Sequence, residues 1–189
     1  MSVRALSVLP AVLTARREDR DKQTELENEV IALFEEFRTP LLRYSLSFGL
    51  AIEDAEEVIQ EVFLSLFEHL QRDKPRHNLR SWLFRVAHNL GLKRRYRVRR
   101  ELNTLDATAV ENFDTDPAPN PEDQLVSRQI QQRIRTIVQA LPEQDRRCIS
   151  LRAEGLRYRE IAEVLDMSLG AVSLSLTRSL ARIERVTRR

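Results

Sequence analysis

The sequence predicts an all-α protein built as two small helical domains joined by an acidic linker, and three observations carry that reading. Glycine is scarce, 4 in 189 residues, aromatics make up 6%, and Leu, Arg and Glu are abundant, a composition that suits helices. Apolar residues recur at helical spacing, and no stretch alternates with the two-residue period of a strand. Charge is arranged in blocks. Residues 25–71 hold eleven acids and two bases, 72–100 one acid and eleven bases, 101–127 seven acids and no base, and 128–189 seven acids and thirteen bases. The formal net charge of +2 hides this alternation. Blocks of this kind imply separate surfaces for separate partners, with the basic ones suited to a polyanion.

Several classes are disfavoured at once. Cys148 is the only cysteine, so no intramolecular disulfide forms. His69, His77 and His88 show no ligand spacing with it, and no metal or cofactor is expected. A reducing cytoplasm fits, and Cys148, between Arg147 and Ile149 in an amphipathic helix, reads as a packed thiol. No apolar run reaches the length of about 20 residues that a membrane span needs, so no membrane insertion is expected. Residues 1–24 faintly imitate a signal peptide, but Pro10 interrupts the apolar stretch and charges follow; they read as a mobile N-terminal extension. No phosphate-binding glycine loop or nucleophile arrangement points to an enzyme.

The first domain, residues 25–102, reads as four helices. Leu26, Val30, Leu33, Phe34 and Phe37 give 25–38 an apolar side; Thr39 and Pro40 then supply an N-cap and first-turn proline for a second helix to about Phe48, closed by Gly49. A third helix runs from about Ile52 to Gln71. After the polar loop RDKPRHN, Asn78 caps a fourth from Leu79 to about Leu102. Residues 103–120, with DTDPAPNP, form the acidic linker. At about 3.3 Å per residue this span reaches roughly 60 Å, comparable to about 17 base pairs of duplex. The second domain, residues 121–189, also reads as four helices: one opened by Asn120 and Pro121, one opened by Pro142 and ending near Gly155, and two shorter ones.

Three stretches carry function. In DAEEVIQEVFLSLFEHL (Asp54 to Leu70), Ala55, Val58, Ile59, Val62 and Leu66 share one side, while Glu57, Glu61 and Glu68 gather opposite around an outward Leu64. An acidic strip with an apolar knob suits a basic helical partner. On the long helix, Leu79, Trp82, Leu83, Val86 and Leu90 form the inward stripe, with Arg85, His88, Leu92, Arg95, Tyr96 and Arg99 outward. Its KRRYRVRR carries six bases in eight residues, a density that tracks phosphate, with Tyr96 placed to stack on an exposed base. Lys74, Arg76, His77 and Asn78 in the preceding loop offer donors and acceptors to an unpaired base. The stretch from Gly155 to Ile183 has the form of a helix-turn-helix: Ile161, Ala162 and Leu165 inward on the first helix, Asp166 and Met167 at the turn, Ser168 as cap of the second. On that second helix Val172, Leu176, Leu180 and Ile183 read as buried, with Ala171, Leu174, Ser175, Arg178 and Arg182 facing the major groove.

The order of these motifs, DAEEVIQEVF, then WLFRVAHNL with its basic tail, then LPEQDRRCISLRAEGLRYREIAEVLDMSLGAVSLSL, resembles a bacterial sigma factor of the extracytoplasmic-function (ECF) group, sigma-70 family. The resemblance covers about residues 26–185. It implies that Asp54, Glu57, Gln60 and Glu61, with Leu64 beside them, grip the clamp-helix coiled coil of the largest subunit of core RNA polymerase. It implies that Arg76, His77, Asn78, Arg80, Arg85, His88, Arg95, Tyr96 and Arg99 capture the melted promoter element near −10. Arg157, Arg159, Ser168, Ala171, Leu174, Ser175, Arg178 and Arg182 then serve the −35 element, where the domain also touches the polymerase flap. The linker would run through the RNA exit path, and control by an anti-sigma factor is left open. Two departures stand out. The recognition helix reads VSLSLTRSL where the family commonly has a more basic sequence, and Asp166 stands where a turn glycine is usual. The alternative, a stand-alone helix-turn-helix regulator of duplex DNA, leaves the acidic strip and the basic Trp82 helix without a joint purpose.

Overall fold

The computed structural model describes residues 8–72, 74–104, 133–134 and 136–187, with side chains described from 22 to 101 and from 133 to 185 within those spans. Among the described residues the fold is carried by α1 (Val8–Leu46), α2 (Ile52–Gln71), α3 (Leu79–Thr104), α4 (Glu143–Ala153), α5 (Tyr158–Leu165) and α6 (Leu169–Thr187). No strand occurs among the described residues, in keeping with the all-α expectation.

The first domain is α1, α2 and α3 packed together. The break expected at Thr39 and Pro40 does not occur: Pro40 lies inside the single 39-residue helix α1. An interior proline costs about 3 kcal/mol. Fully burying an aliphatic or aromatic side chain stabilises by about 1.5–3 kcal/mol, and Phe37, Leu41 and Tyr44 are all buried around the proline. Packing on α2 thus outweighs the local signal. The chain N-terminal to residue 25, read as a mobile extension, is helical from Val8 onward. Gly49 does end the helix, in the left-handed conformation at φ 77°. Around this frame Val58, Val62 and Leu66 of α2 meet Leu83, Phe84 and Ala87 of α3 in a closed core. Of the expected linker, residues 105–120 lie outside the described residues, as does most of the helix expected from Asn120 to Ala140.

In the second domain α4, α5 and α6 enclose Cys148, Leu151, Leu156, Ile161, Val164, Val172 and Leu176. The turn of the helix-turn-helix is built as its residues dictate. Asp166 sits in the left-handed region at φ 52°, which a short polar side chain tolerates better than most, so an aspartate serves where glycine would be the easy choice. Ser168 Oγ accepts the Ala171 amide at 3.1 Å, the expected N-cap. At the start of α5 the Glu160 carboxylate accepts the Arg157 amide at 2.6 Å. The buried stripe of α6 is rotated from the expected one. Ser175 and Ser179 are buried while Leu180 is exposed, because the small serines let α6 approach α4, where the Ser175 hydroxyl donates to Asp145 Oδ1 at 2.7 Å.

The domains do not stand apart. Helix α3 packs against α5, and the buried residues of both domains form one continuous cluster.

Candidate functional site

The acidic strip of α2 is divided. At its N-terminal end Arg94 of α3 reaches across, its Nε donating to Asp54 Oδ1 at 2.7 Å and its Nη1 lying 2.6 Å from Glu57 Oε2. Both partners raise the Arg94 pKa, Asp54 first. Asp54 is half-buried in this pairing, so it acts as a brace between α2 and α3 more than as a free docking charge. One turn further on, Gln60 and Glu61 are exposed and Leu64 is 62% exposed. Glu57, Glu61, Arg94, Tyr96, Arg97 and Arg100 line an open cleft of about 460 Å³ where the acidic helix meets the basic one. In the sequence Arg94 is one more base in a run; its partners lie 40 and 37 residues away, and nothing local points to them.

The loop and long helix divide in the same manner. Tyr96 is 68% exposed, and Arg85, Arg97 and Arg99 are exposed with it, a surface able to hold phosphate and stack a base. His77 and Asn78 are exposed at the loop. Asn78 is left-handed at φ 58°, and its carbonyl accepts the Trp82 amide at 3.0 Å. Arg76 reaches back to Glu29 Oε2 at 2.6 Å, so α1 braces this loop. Trp82 is half-buried and packs on His69, with ring centroids 4.6 Å apart.

Three of the residues expected at the −10 surface face elsewhere. His88 lies half-buried, Nδ1 2.7 Å from Tyr44 Oη; burial, joined by the nearby Arg147 charge, pushes its pKa down to about 4. It is neutral at pH 7 and contributes no cation to a phosphate surface. Arg95 pairs with Glu143 of α4, and Arg80 Nη2 donates to the Glu154 carbonyl at 2.6 Å. The expectation failed because periodicity distinguishes inward from outward on one helix but does not reveal a second domain covering part of the outward face. The Glu143 to Arg147 pair at four residues' spacing was legible in the sequence; its engagement of Arg95 was not.

On α6, Ala171, Leu174, Arg178 and Arg182 are exposed, Leu174 by 57%. Ser175 is 2% exposed and faces inward, a correction to the predicted groove-facing set whose cause is the hydrogen bond to Asp145. Asp145 also holds Arg178, Nη2 to Oδ1 at 3.2 Å. Arg157 and Arg159 are exposed at the start of α5, and Ser168 is occupied as a cap. Cys148 is buried, and burial pushes its thiol pKa up, in keeping with a packed, unreactive group.

A helical domain with a basic, tyrosine-bearing face, followed by a capped helix-turn-helix, defines a DNA-binding transcription protein. The family models Sigma-70 region 2 and Sigma-70, region 4 match residues 33–101 and 131–183. The chain is 31% identical over 140 residues to the ECF RNA polymerase sigma-E factor of Escherichia coli (strain K12), covering 69% of this chain and 72% of that protein. The corresponding factor of Haemophilus influenzae is 28% identical over 138 residues. Among solved structures, the sigma factor RpoE in complex with the anti-sigma factor NepR from Bartonella quintana matches with a TM-score of 0.63 at 20% identity, covering 83% of this chain and 97% of that one. CnrH in complex with the cytosolic domain of CnrY matches with a TM-score of 0.55 at 23% identity, covering 86% and 89%. The chain therefore belongs to the ECF sigma factors of the sigma-70 family. Its role is promoter recognition as an RNA polymerase sigma factor, and the stand-alone regulator is not favoured.

Proposed function

We propose that residues 25–102 and 121–189 act as the promoter-melting and upstream-reading domains of one holoenzyme subunit, in the cytoplasm and without chemistry of their own. Gln60, Glu61 and Leu64, with Glu57 at the edge, dock on the basic clamp-helix coiled coil of core polymerase, while Asp54 keeps α2 and α3 in register through Arg94. Arg85, Tyr96 and Arg99 hold the displaced strand near −10, and His77 and Asn78 read an unstacked base. Extruding a base costs a few kcal/mol; stacking on an aromatic returns about 1–3 kcal/mol, and polymerase contacts supply the remainder. Arg157, Arg159, Ala171, Leu174, Arg178 and Arg182 serve the −35 element, beside the flap. Relatives captured with anti-sigma factors support an anti-sigma protein as a further partner.

The observation that carries this reading is the pairing of an exposed Leu64 and Glu61 on one face with an exposed Tyr96 among arginines on another. The test is reconstitution with core polymerase. Glu61→Lys with Leu64→Ala should weaken holoenzyme assembly while leaving helicity and thermal unfolding near wild type, since neither side chain is in the core. Undiminished assembly would reject the docking strip.

A further inference from the structure

Residues 74–76 belong to no helix, yet the backbone of this loop is held from α1, α2 and α3. His69, in the last turn of α2, takes hold of it twice. Its own carbonyl accepts the Lys74 amide at 3.3 Å, and its ring Nε2 lies 3.1 Å from the Pro75 carbonyl oxygen. A carbonyl oxygen only accepts, so Nε2 carries a proton and donates it. Proline has no amide N–H, which leaves that carbonyl as the backbone group through which Pro75 is held. The His69 ring also rests on Trp82 of α3, centroids 4.6 Å apart and planes inclined by 41°. It therefore spans the corner between the two helices that the loop connects.

The second anchor comes from α1, where Glu29 accepts from the Arg76 guanidinium at 2.6 Å, a charge-assisted bond that turns Arg76 back onto the protein. The third is at the start of α3: Asn78 is left-handed at φ 58°, and its carbonyl accepts the Trp82 amide at 3.0 Å. Between these anchors the side chains of His77 and Asn78 stay exposed. Reading a base by hydrogen bonds needs donors and acceptors held within about 0.5 Å of the productive geometry. A loop fixed beforehand also does not have to be ordered at the moment of binding. His69 lies five residues beyond Leu64 on the same helix, so the loop is placed relative to the α2 face assigned to polymerase.

We propose that His69 and Glu29 are positioning residues for −10 recognition: without touching DNA they fix, through the Pro75 carbonyl and Arg76, where His77 and Asn78 meet an unstacked base. Arg76 then serves as a strut and not as a phosphate contact. The proposal rests on the assignment of this loop to the −10 element given above, and the experiment separates the two.

Holoenzyme reconstituted with core polymerase is assayed on promoters varied singly across the −10 element. The reading is the ratio of initiation between the best and the worst base at each position, which does not depend on the fraction of protein that is folded. His69→Phe keeps a ring on Trp82 and removes the donor; His69→Gln keeps a donor at similar reach and removes the ring. His69→Phe should flatten the ratio at the position the loop reads by roughly three- to tenfold, the scale of one net hydrogen bond, and His69→Gln should keep most of it. Glu29→Ala should flatten the ratio at the same position. If Arg76 is instead a phosphate contact, releasing it from Glu29 tightens binding to every promoter alike, and that result overturns the proposal. Equal flattening by His69→Phe and His69→Gln, or none by either, overturns it too. Asn78→Gly, which suits the positive φ while removing the side chain, and His77→Ala test the underlying assignment. If both leave every −10 ratio at wild type, the assignment falls and the proposal with it; if they flatten a ratio that His69→Phe does not, the positioning role alone is overturned.

Discussion

Helices α3 and α6 are the two that DNA would meet, and they are built on opposite principles. Helix α3 carries a dense row of arginines with Tyr96 among them, and several of those cations are already engaged, by Asp54, Glu57, Glu143 or the Glu154 carbonyl. Helix α6 presents exposed Leu169, Leu174 and Leu180 with Arg178, whose guanidinium is tied to Asp145. On the proposed assignment of these helices, the difference teaches that the two ends of the promoter would be held by different forces. Binding at α3 would be electrostatic, blind to sequence and sensitive to salt. Recognition at α6 would rely on apolar contact and few hydrogen bonds, so upstream specificity should be modest.

Where the two helices are alike, on their buried faces, substitution acts most strongly. Phe84→Ala in α3 and Leu176→Ala in α6 each remove a fully buried side chain and should each cost about 2–5 kcal/mol, read as a lowered denaturation midpoint. A cost below about 1 kcal/mol at either site would mean the inner face is not the one described.

Removing two exposed cations tests the electrostatic half. Arg97→Ala with Arg99→Ala should weaken single-stranded DNA binding by roughly 3 kcal/mol, equally for all sequences, and should lower the salt slope by about 1.4. Titrations of unrelated oligonucleotides at several salt concentrations check this, and a loss confined to one sequence would blur the contrast. Arg178→Ala tests the other half, with about 1–3 kcal/mol of base discrimination expected to disappear. Transcription from promoters varied singly across the −35 element is the measurement. Leu174→Ala should act more weakly, by about 0.8 kcal/mol for each methylene group no longer buried against a thymine methyl, and only where thymine is preferred.

The smallest effect concerns the covered part of α3. Because burial first, and then Arg147, hold His88 down to about 4, the folded chain resists a proton that the unfolded chain accepts near 6.5. That contribution to stability is present above about 6.5 and is lost as pH falls toward 4. Thermal unfolding at a series of pH values should show this decline, and His88→Gln should flatten it. Glu143 moves away from that window, its pKa lowered first by the hydrogen bond from Arg147.

Much of this was legible in the residues. The helical period, Gly49 as terminator, the Ser168 cap and the outward Leu64, Tyr96 and Leu174 were all readable from local pattern. These features depend on neighbours within about one helical turn, and the chain carries that information directly. Pro40 shows the limit: a strong local stop was overruled by burial of Phe37, Leu41 and Tyr44 against a helix farther along the chain. Ser175 shows another, since its hydroxyl turned inward for Asp145, 30 residues away.

The sequence by itself determined the all-α class, the two-domain order and the family, because composition, periodicity and contiguous motifs are properties of the chain. Only the tertiary structure decided which charges remain available. Asp54 to Arg94, Arg43 to Glu154, Arg95 to Glu143 and Arg147 on Phe48 are pairings between residues 40 or more positions apart. A charged side chain's role depends on what stands within a few ångströms of it, because attraction and desolvation both act at that range, and one-dimensional spacing does not contain that distance.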